Sequence, residues 1–148
     1  MTEAPAGEAE PGGRRAVYHA QVRWSDPDLL GHVNHARYLS FFEDARMIVL
    51  AESPSGLVGS DGDRGYIAGR VAVDYLYPVE FRPGLTLRVE TSVGHIGTSS
   101  WTFLAEMYDG ELLAARSETV MVAYSYGQRR SRPLDADERS FWEKYQRR

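Results

Sequence analysis

No cysteine occurs among the 148 residues. Thiol catalysis, disulfide cross-links and cysteine-ligated zinc or iron–sulfur centres are therefore excluded, and any nucleophile must be oxygen or nitrogen. Lysine is almost absent too: Lys144 is the only one among 17 basic residues, a skew from which no function follows. The net charge of −4 lacks the basic excess that neutralises phosphates, so nucleic acid is not an expected partner. No apolar run approaches the roughly 20 residues that span a bilayer, and MTEAPAGEAEPGGRR has no apolar core of a secretory signal. A cytoplasmic protein without a membrane partner is expected, with residues 1–15 a disordered lead-in and residues 16–148 one domain, since this length buries a core without staples.

What is present divides into a strand, a helix and a long run of strands. AVYHAQVRW, residues 16–24, alternates β-branched and aromatic residues loosely, as a strand does, until Asp26-Pro27-Asp28 breaks it. Tyr38, Phe41, Phe42, Ala45, Ile48 and Val49 then recur at helical spacing, with Leu39 and Leu50 widening the stripe. Only Arg37, Ser40, Asp44 and Ala51 are left to meet water. The spacing predicts a helix over about residues 35–52, embedded on most of its circumference and capped by Asn34.

SPSGLVGSDGDRG, residues 53–65, has loop composition. Four long antiparallel strands are expected after it: Val71 to Phe81, Leu85 to Val93, Ser99 to Tyr108, and Glu111 to about Ser125. The third and fourth join at Asp109-Gly110, a two-residue hairpin signal. The tail LDADERSFWEKYQRR has helical composition, with Phe141, Trp142 and Tyr145 to dock it. One apolar helix must cover one face of this sheet, which predicts an α+β fold with the sheet curled around the helix.

WSDPDLLGHVNHARYLSFFEDAR, residues 24–46, concentrates polar chemistry at the mouth of that helix. A helix N-terminus carries free N–H groups and partial positive charge, which can polarise a carbonyl while a nearby carboxylate faces its carbon. Asp28 can serve there as nucleophile or as general base for water. The plainer readings stay open beside it. Asp-Pro-Asp is ordinary turn chemistry, His32 and His35 can be structural hydrogen-bonding residues, and Asn34 can be a cap alone.

SDPDLLGHVNHARYLSFFEDAR resembles the signature of the 4-hydroxybenzoyl-CoA thioesterase-like branch of the hotdog-fold superfamily, an Asp-x-Asp-x-x-Gly-x-Val core leading into the central helix. VAVDYLYPVEFRPGLTLRVET (71–91) and IGTSSWTFLAEMYDGELLAARSETVMVAY (96–124) resemble its second-strand segment and closing hairpin. The resemblance covers about Tyr18 to Leu134. It implies a hotdog fold and hydrolysis of an acyl-CoA to acid and thiol, with no cofactor or metal beyond the coenzyme A of the substrate.

By the same resemblance Asp28 matches the catalytic carboxylate, and His35 the helix-start position whose backbone N–H polarises the thioester carbonyl. Gly31 matches the turn glycine, while Asn34 and Glu43 match polar positions that could orient water or Asp28; a buried pair with Arg46 or another arginine is the plainer account of Glu43. Many members carry two asparagines after Gly-His-Val, where this chain has Asn34 and then His35, a change that bears on specificity more than on a backbone donor. The site of such enzymes forms between two subunits, which implies a homodimer or homotetramer. Tyr75, Tyr77, Thr98 and Ser99 are candidate contributions from the partner, and Arg88, Arg129 and Arg130 are candidates for the coenzyme A phosphates. Packing and surface charge are the plainer accounts of each. An acyl group on acyl carrier protein, or an acyl-CoA-binding module without catalysis, are the rival expectations.

Overall fold

The computed structural model describes residues 12–57, 59 and 61–148; most of the expected lead-in, residues 1–11, lies outside the described residues. Strand β1 (Ala16–Gln21) leads through a loop to helix α1 (His35–Glu52). Strands β2 (Arg64–Tyr75), β3 (Thr86–Ile96), β4 (Ser100–Asp109) and β5 (Leu112–Ser125) follow, then a two-residue strand β6 (Arg130–Ser131) and helix α2 (Ala136–Glu143). All the strands pair antiparallel in the order β1-β3-β4-β5-β2, with β6 beside the end of β5. Both β1 and β2 are edge strands.

The helix occupies its expected span because Asn34 stops the preceding loop in an extended conformation and its Oδ1 accepts the Ala36 N–H at 3.0 Å. Such a cap stabilises a helix by about 1 kcal/mol. Tyr38, Phe41, Phe42, Ala45 and Val49 are buried as the spacing requires, and Phe42 is inaccessible to solvent. Two expectations about its surface change. Ile48 is exposed with Leu39 and Met47, while Arg46 is buried in their place. The sheet of one chain therefore covers one side of α1 and leaves an apolar strip uncovered.

Two clusters make the core. Tyr38, Phe41, Phe42 and Ala45 meet Ala20, Val22, Leu87, Val89 and Met107 under the first half of the helix. Val49 and Leu50 meet Val93, Trp101, Phe103, Met121, Trp142 and Tyr145 under the second half. Trp101 and Trp142 stack with ring centres 4.2 Å apart, so α2 is docked by the tail aromatics as its composition implied. Glu138, fully buried, anchors the same helix. Its carboxylate accepts two bonds from Arg132 (2.9 and 2.8 Å), one each from the Ser55 and Tyr66 hydroxyls (2.7 and 2.8 Å), and one from the Asp135 N–H (3.0 Å). Burial alone would raise its pKa, but these donors hold it down at about 2.

The strands differ from expectation mainly in β2. It starts at Arg64 and ends at Tyr75, whereas alternation placed it from Val71 to Phe81. A register shift between Ala68 and Arg70 breaks the two-residue phase and hides its first half. Pro78 lacks a donor and disfavours continued pairing, so the second half of the expected strand is loop. β1 is also shorter than the expected Ala16–Trp24, and Trp24 is exposed. Beyond the end of β1, residues 145–147 take over the edge of β3: Val93 donates to Tyr145 O and Arg147 donates to Val93 O, both at 2.8 Å. Arg14 N–H donates to Lys144 O at 2.8 Å, so the entry and exit of the described chain touch.

Candidate active site at the helix start

The loop from Trp24 to Val33 is tied down before it meets the helix. Val22 N–H donates to Leu85 O at 3.0 Å and Val33 N–H to Val79 O at 2.8 Å, fastening both loop ends to the segment before β3. Asp26 is buried, and its carboxylate accepts the Arg23 N–H at 2.7 Å and faces Arg37 Nε at 3.5 Å. Its carbonyl accepts the Asn34 N–H at 3.0 Å. Asp26 is thus a clamp that sets the loop against the first turn of α1. Gly31 turns the chain with φ +82°, a left-handed conformation that costs other residues about 1–2 kcal/mol.

The second aspartate is held differently. Asp28 is exposed, with Oδ1 accepting the Leu30 N–H at 2.8 Å and Oδ2 accepting Asn34 Nδ2 at 3.0 Å. Asn34 therefore does two jobs at once: its oxygen caps the helix and its nitrogen orients Asp28. The Ala36 and Arg37 N–H groups are used locally, on Asn34 Oδ1 and Asn34 O. The His35 N–H has no acceptor among the described residues and stands at the positive end of an 18-residue helix. A cavity of about 420 Å³ lies here, lined by Asp28, Asn34, Ala36, Arg37, Ser40 and Asp26 among others.

Tyr75 completes this corner from its own chain. Its hydroxyl donates to His35 O at 2.9 Å, and its ring meets Tyr38 and His35 edge-on at 5.2 and 6.2 Å. Burial pushes the phenols of Tyr75 and Tyr38 up in pKa, so both stay protonated at neutral pH, and Tyr75 serves as a donor rather than a base. His32 lies beside Glu80 through a backbone bridge and is half-buried. Tyr77 is exposed just beyond β2, its N–H donating to Ala114 O at 3.1 Å.

The other candidates do not gather around Asp28 within one chain. Thr98 and Ser99 occupy the β3–β4 turn, and Arg129 and Arg130 the turn at β6, at the end of the sheet away from the loop. From Leu85 to Ile96 the strand alone spans roughly 35 Å. Arg88 is nearer but lies on the sheet face opposite α1, paired with Glu90 at 3.1 Å and lying over the Tyr108 ring at 4.6 Å. Register thus sets these residues away from Asp28 of their own chain, while Thr98 and Ser99 are expected at the site of a partner subunit. Glu43 is exposed and makes no ion pair among the described residues, so the expected buried pair with Arg46 is absent. It lines a second cavity, of about 390 Å³, with Arg46, Met47, Leu50, Leu57, Tyr66, Ile67 and Met121. Arg46 was not among the sequence candidates for the site, although an arginine spaced between Phe42 and Val49 in an apolar stripe was the signal for it.

Residues 22–140 match the thioesterase-like superfamily. The chain belongs to that superfamily. The enzyme class expected for this thioesterase-like protein, a thioester hydrolase, agrees with the match. Comparison with curated protein sequences gave no match. A predicted thioesterase from Bacillus stearothermophilus is similar with a TM-score of 0.79 and 22% identity, over 88% of this chain and 96% of that one. A 1,4-dihydroxy-2-naphthoyl-CoA thioesterase from Synechocystis is similar with a TM-score of 0.74 and 22% identity, over 86% and 94%. At such identity the two speak for the shared hotdog fold alone. A thioesterase from Thermus thermophilus, complexed with coenzyme A and zinc, is 31% identical with a TM-score of 0.70, over 84% of this chain and 94% of that one. Among the described residues of the thioesterase-like chain no cluster of three or more His, Asp or Glu side chains is placed to hold a metal ion. Nor is any described helix long and apolar enough to cross a membrane.

Proposed function

We propose that this thioesterase-like protein hydrolyses an acyl-CoA, with Asp28 acting on the thioester carbon as nucleophile or as general base for water. The His35 N–H and the positive end of α1 receive the charge that develops on the carbonyl oxygen. Water adds to R–CO–S–CoA, the carbon–sulfur bond breaks, and acid and HS–CoA leave. The observation that carries this reading is the double role of Asn34, which fixes an exposed carboxylate and the helix start relative to one another. An aspartate serving only the turn needs no such tie, and Asp26 already does that work. Coenzyme A as the thiol is supported by the complex of the Thermus thermophilus relative.

A second copy of the chain completes the enzyme in this reading. Leu39, Met47 and Ile48 on α1 and Ile67, Val71 and Tyr75 on edge strand β2 are large apolar side chains left exposed by one chain. Covering them by a homodimer or homotetramer brings partner strands toward the site and removes the free β2 edge.

Asp28→Asn tests the assignment, since it keeps the shape of the side chain while removing its base. Thiol release from a panel of short, medium, long and aromatic acyl-CoAs should fall by about 10²-fold or more, with unchanged circular dichroism. Turnover equal to that of the unmodified enzyme sinks the role of Asp28.

A further inference from the structure

The helix that starts at the candidate site carries one side chain that neither the fold nor the hydrolysis explains. Arg46 is 8% exposed, on the face of α1 where His35, Leu39, Glu43 and Leu50 follow one another at intervals of three, four or seven residues. Its Nη1 donates to Thr119 Oγ1 at 3.1 Å, its only side-chain hydrogen bond among the described residues. A neutral hydroxyl is a poor counterpart for a guanidinium with five donors. No ion pair to Arg46 is found among the described residues, so a buried cation stands without a counter-ion. Burial accordingly pulls its pKa below the usual arginine range, and Glu43 on the neighbouring turn offsets only part of this.

The guanidinium borders the cavity of about 390 Å³ between α1 and β2, where the apolar Met47, Leu50, Leu57, Ile67 and Met121 are joined by Glu43 and by the phenols of Tyr66 and Tyr126. The carboxylate of Glu43 also borders it but is exposed to water, whereas Arg46 is buried, so the chamber fits a ligand with an apolar body and an anionic end held at the guanidinium. Resting on the acyl-CoA reading above, we propose that Arg46 is a specificity-determining residue that takes the far carboxylate of an ω-carboxyacyl group, the monothioester of a dicarboxylic acid. The planar fork of arginine binds carboxylates with two parallel bonds, which neither a methyl end nor a lone hydroxyl offers. Length agrees with this. His35 and Arg46 are eleven residues apart, about 16 Å along the axis, and helical side chains lean back toward the N-terminus. A gap on the order of 10 Å between carbonyl and guanidinium matches a chain of about eight carbons.

The test compares octanoyl-CoA with octanedioyl-CoA, equal in length and different only at the far end, by thiol release. The KM of octanedioyl-CoA should be lower by about tenfold or more. Arg46→Gln should bring the ratio of the two KM values close to one, and Arg46→Lys, which keeps charge without the fork, should give an intermediate ratio. A ratio near one in the unmodified enzyme overturns the proposal without any variant, and is the result expected if a partner's side chain fills the cavity. A ratio unchanged by Arg46→Gln overturns it as well. Should neither thioester be hydrolysed, it is the acyl-CoA reading that fails. Calorimetric binding of free octanedioate and octanoate then decides Arg46: preference for octanedioate lost in Arg46→Gln supports it, and equal binding refutes it.

Discussion

Lowering the pH should unfasten α2, and Glu138 supplies the arithmetic. Its carboxylate is fully buried, and its donors lower its pKa from 4.5 to about 2. A folded-state pKa below the unfolded one means that the ionised form stabilises the fold. That stability is fully present above about pH 4.5 and drains away as pH falls through about 2. A shift of this size corresponds to about 3 kcal/mol at neutral pH, falling to about 1 kcal/mol at pH 2.5. Glu138→Gln removes this dependence and leaves Arg132 facing a neutral amide, at a cost of about 3 kcal/mol or more. Urea unfolding of both proteins, followed by tryptophan fluorescence from the Trp101–Trp142 stack, reports the difference at each pH. Other carboxylates titrate equally in the two proteins and cancel. The gap between them should therefore narrow from about 3 kcal/mol at pH 6 to about 1 kcal/mol at pH 2.5. A gap that stays constant over that range refutes the reasoning, since Glu138 would then be no more ionised when folded than when unfolded.

The loop and the helix start can be probed separately. Asn34→Ala should cost about 1 kcal/mol of stability through the lost cap, and should lower kcat more than a cap alone explains because Asp28 loses its Nδ2 partner. Asn34→Ser separates the two effects: thermal stability should recover while turnover stays low. Gly31→Ala should destabilise by about 1 kcal/mol because of the left-handed backbone at φ +82°, although the added methyl group meets no neighbour. A melting temperature equal to that of the unmodified protein counts against a rigid turn.

Much of this architecture is legible where local chemistry and tertiary demand agree. Asn34 reads as a cap and is one, and Asp109-Gly110 reads as a hairpin turn and joins β4 to β5. The Asp26–Asp28 pair is visible as turn chemistry, and both carboxylates accept backbone N–H groups in the loop. What fails to show is governed by contacts distant in sequence. The first half of β2 hides behind the phase break at Gly69 and the loop-like composition before it. β6 pairs only two residues, Tyr124 with Ser131 and Ser125 with Arg130, too few to leave a period. Thr98, Ser99, Arg129 and Arg130 carry suitable side chains, but only the sheet order reveals which end of the molecule they occupy. Arg46 is readable as a charge inside an apolar stripe; that it lies buried against Thr119, 73 positions away, is not.

The shared edge of β3 has an engineering meaning. Because residues 145–147 continue the line that β1 begins, and Arg14 bonds Lys144, the backbone enters and leaves the sheet at one point. A circular permutant that links Arg148 to Gly12 through a short spacer and opens at Asp109-Gly110 keeps every strand neighbour and leaves the helix start intact. The new ends would then lie at the β4–β5 turn, where a fused reporter or a surface anchor leaves the β3 edge undisturbed.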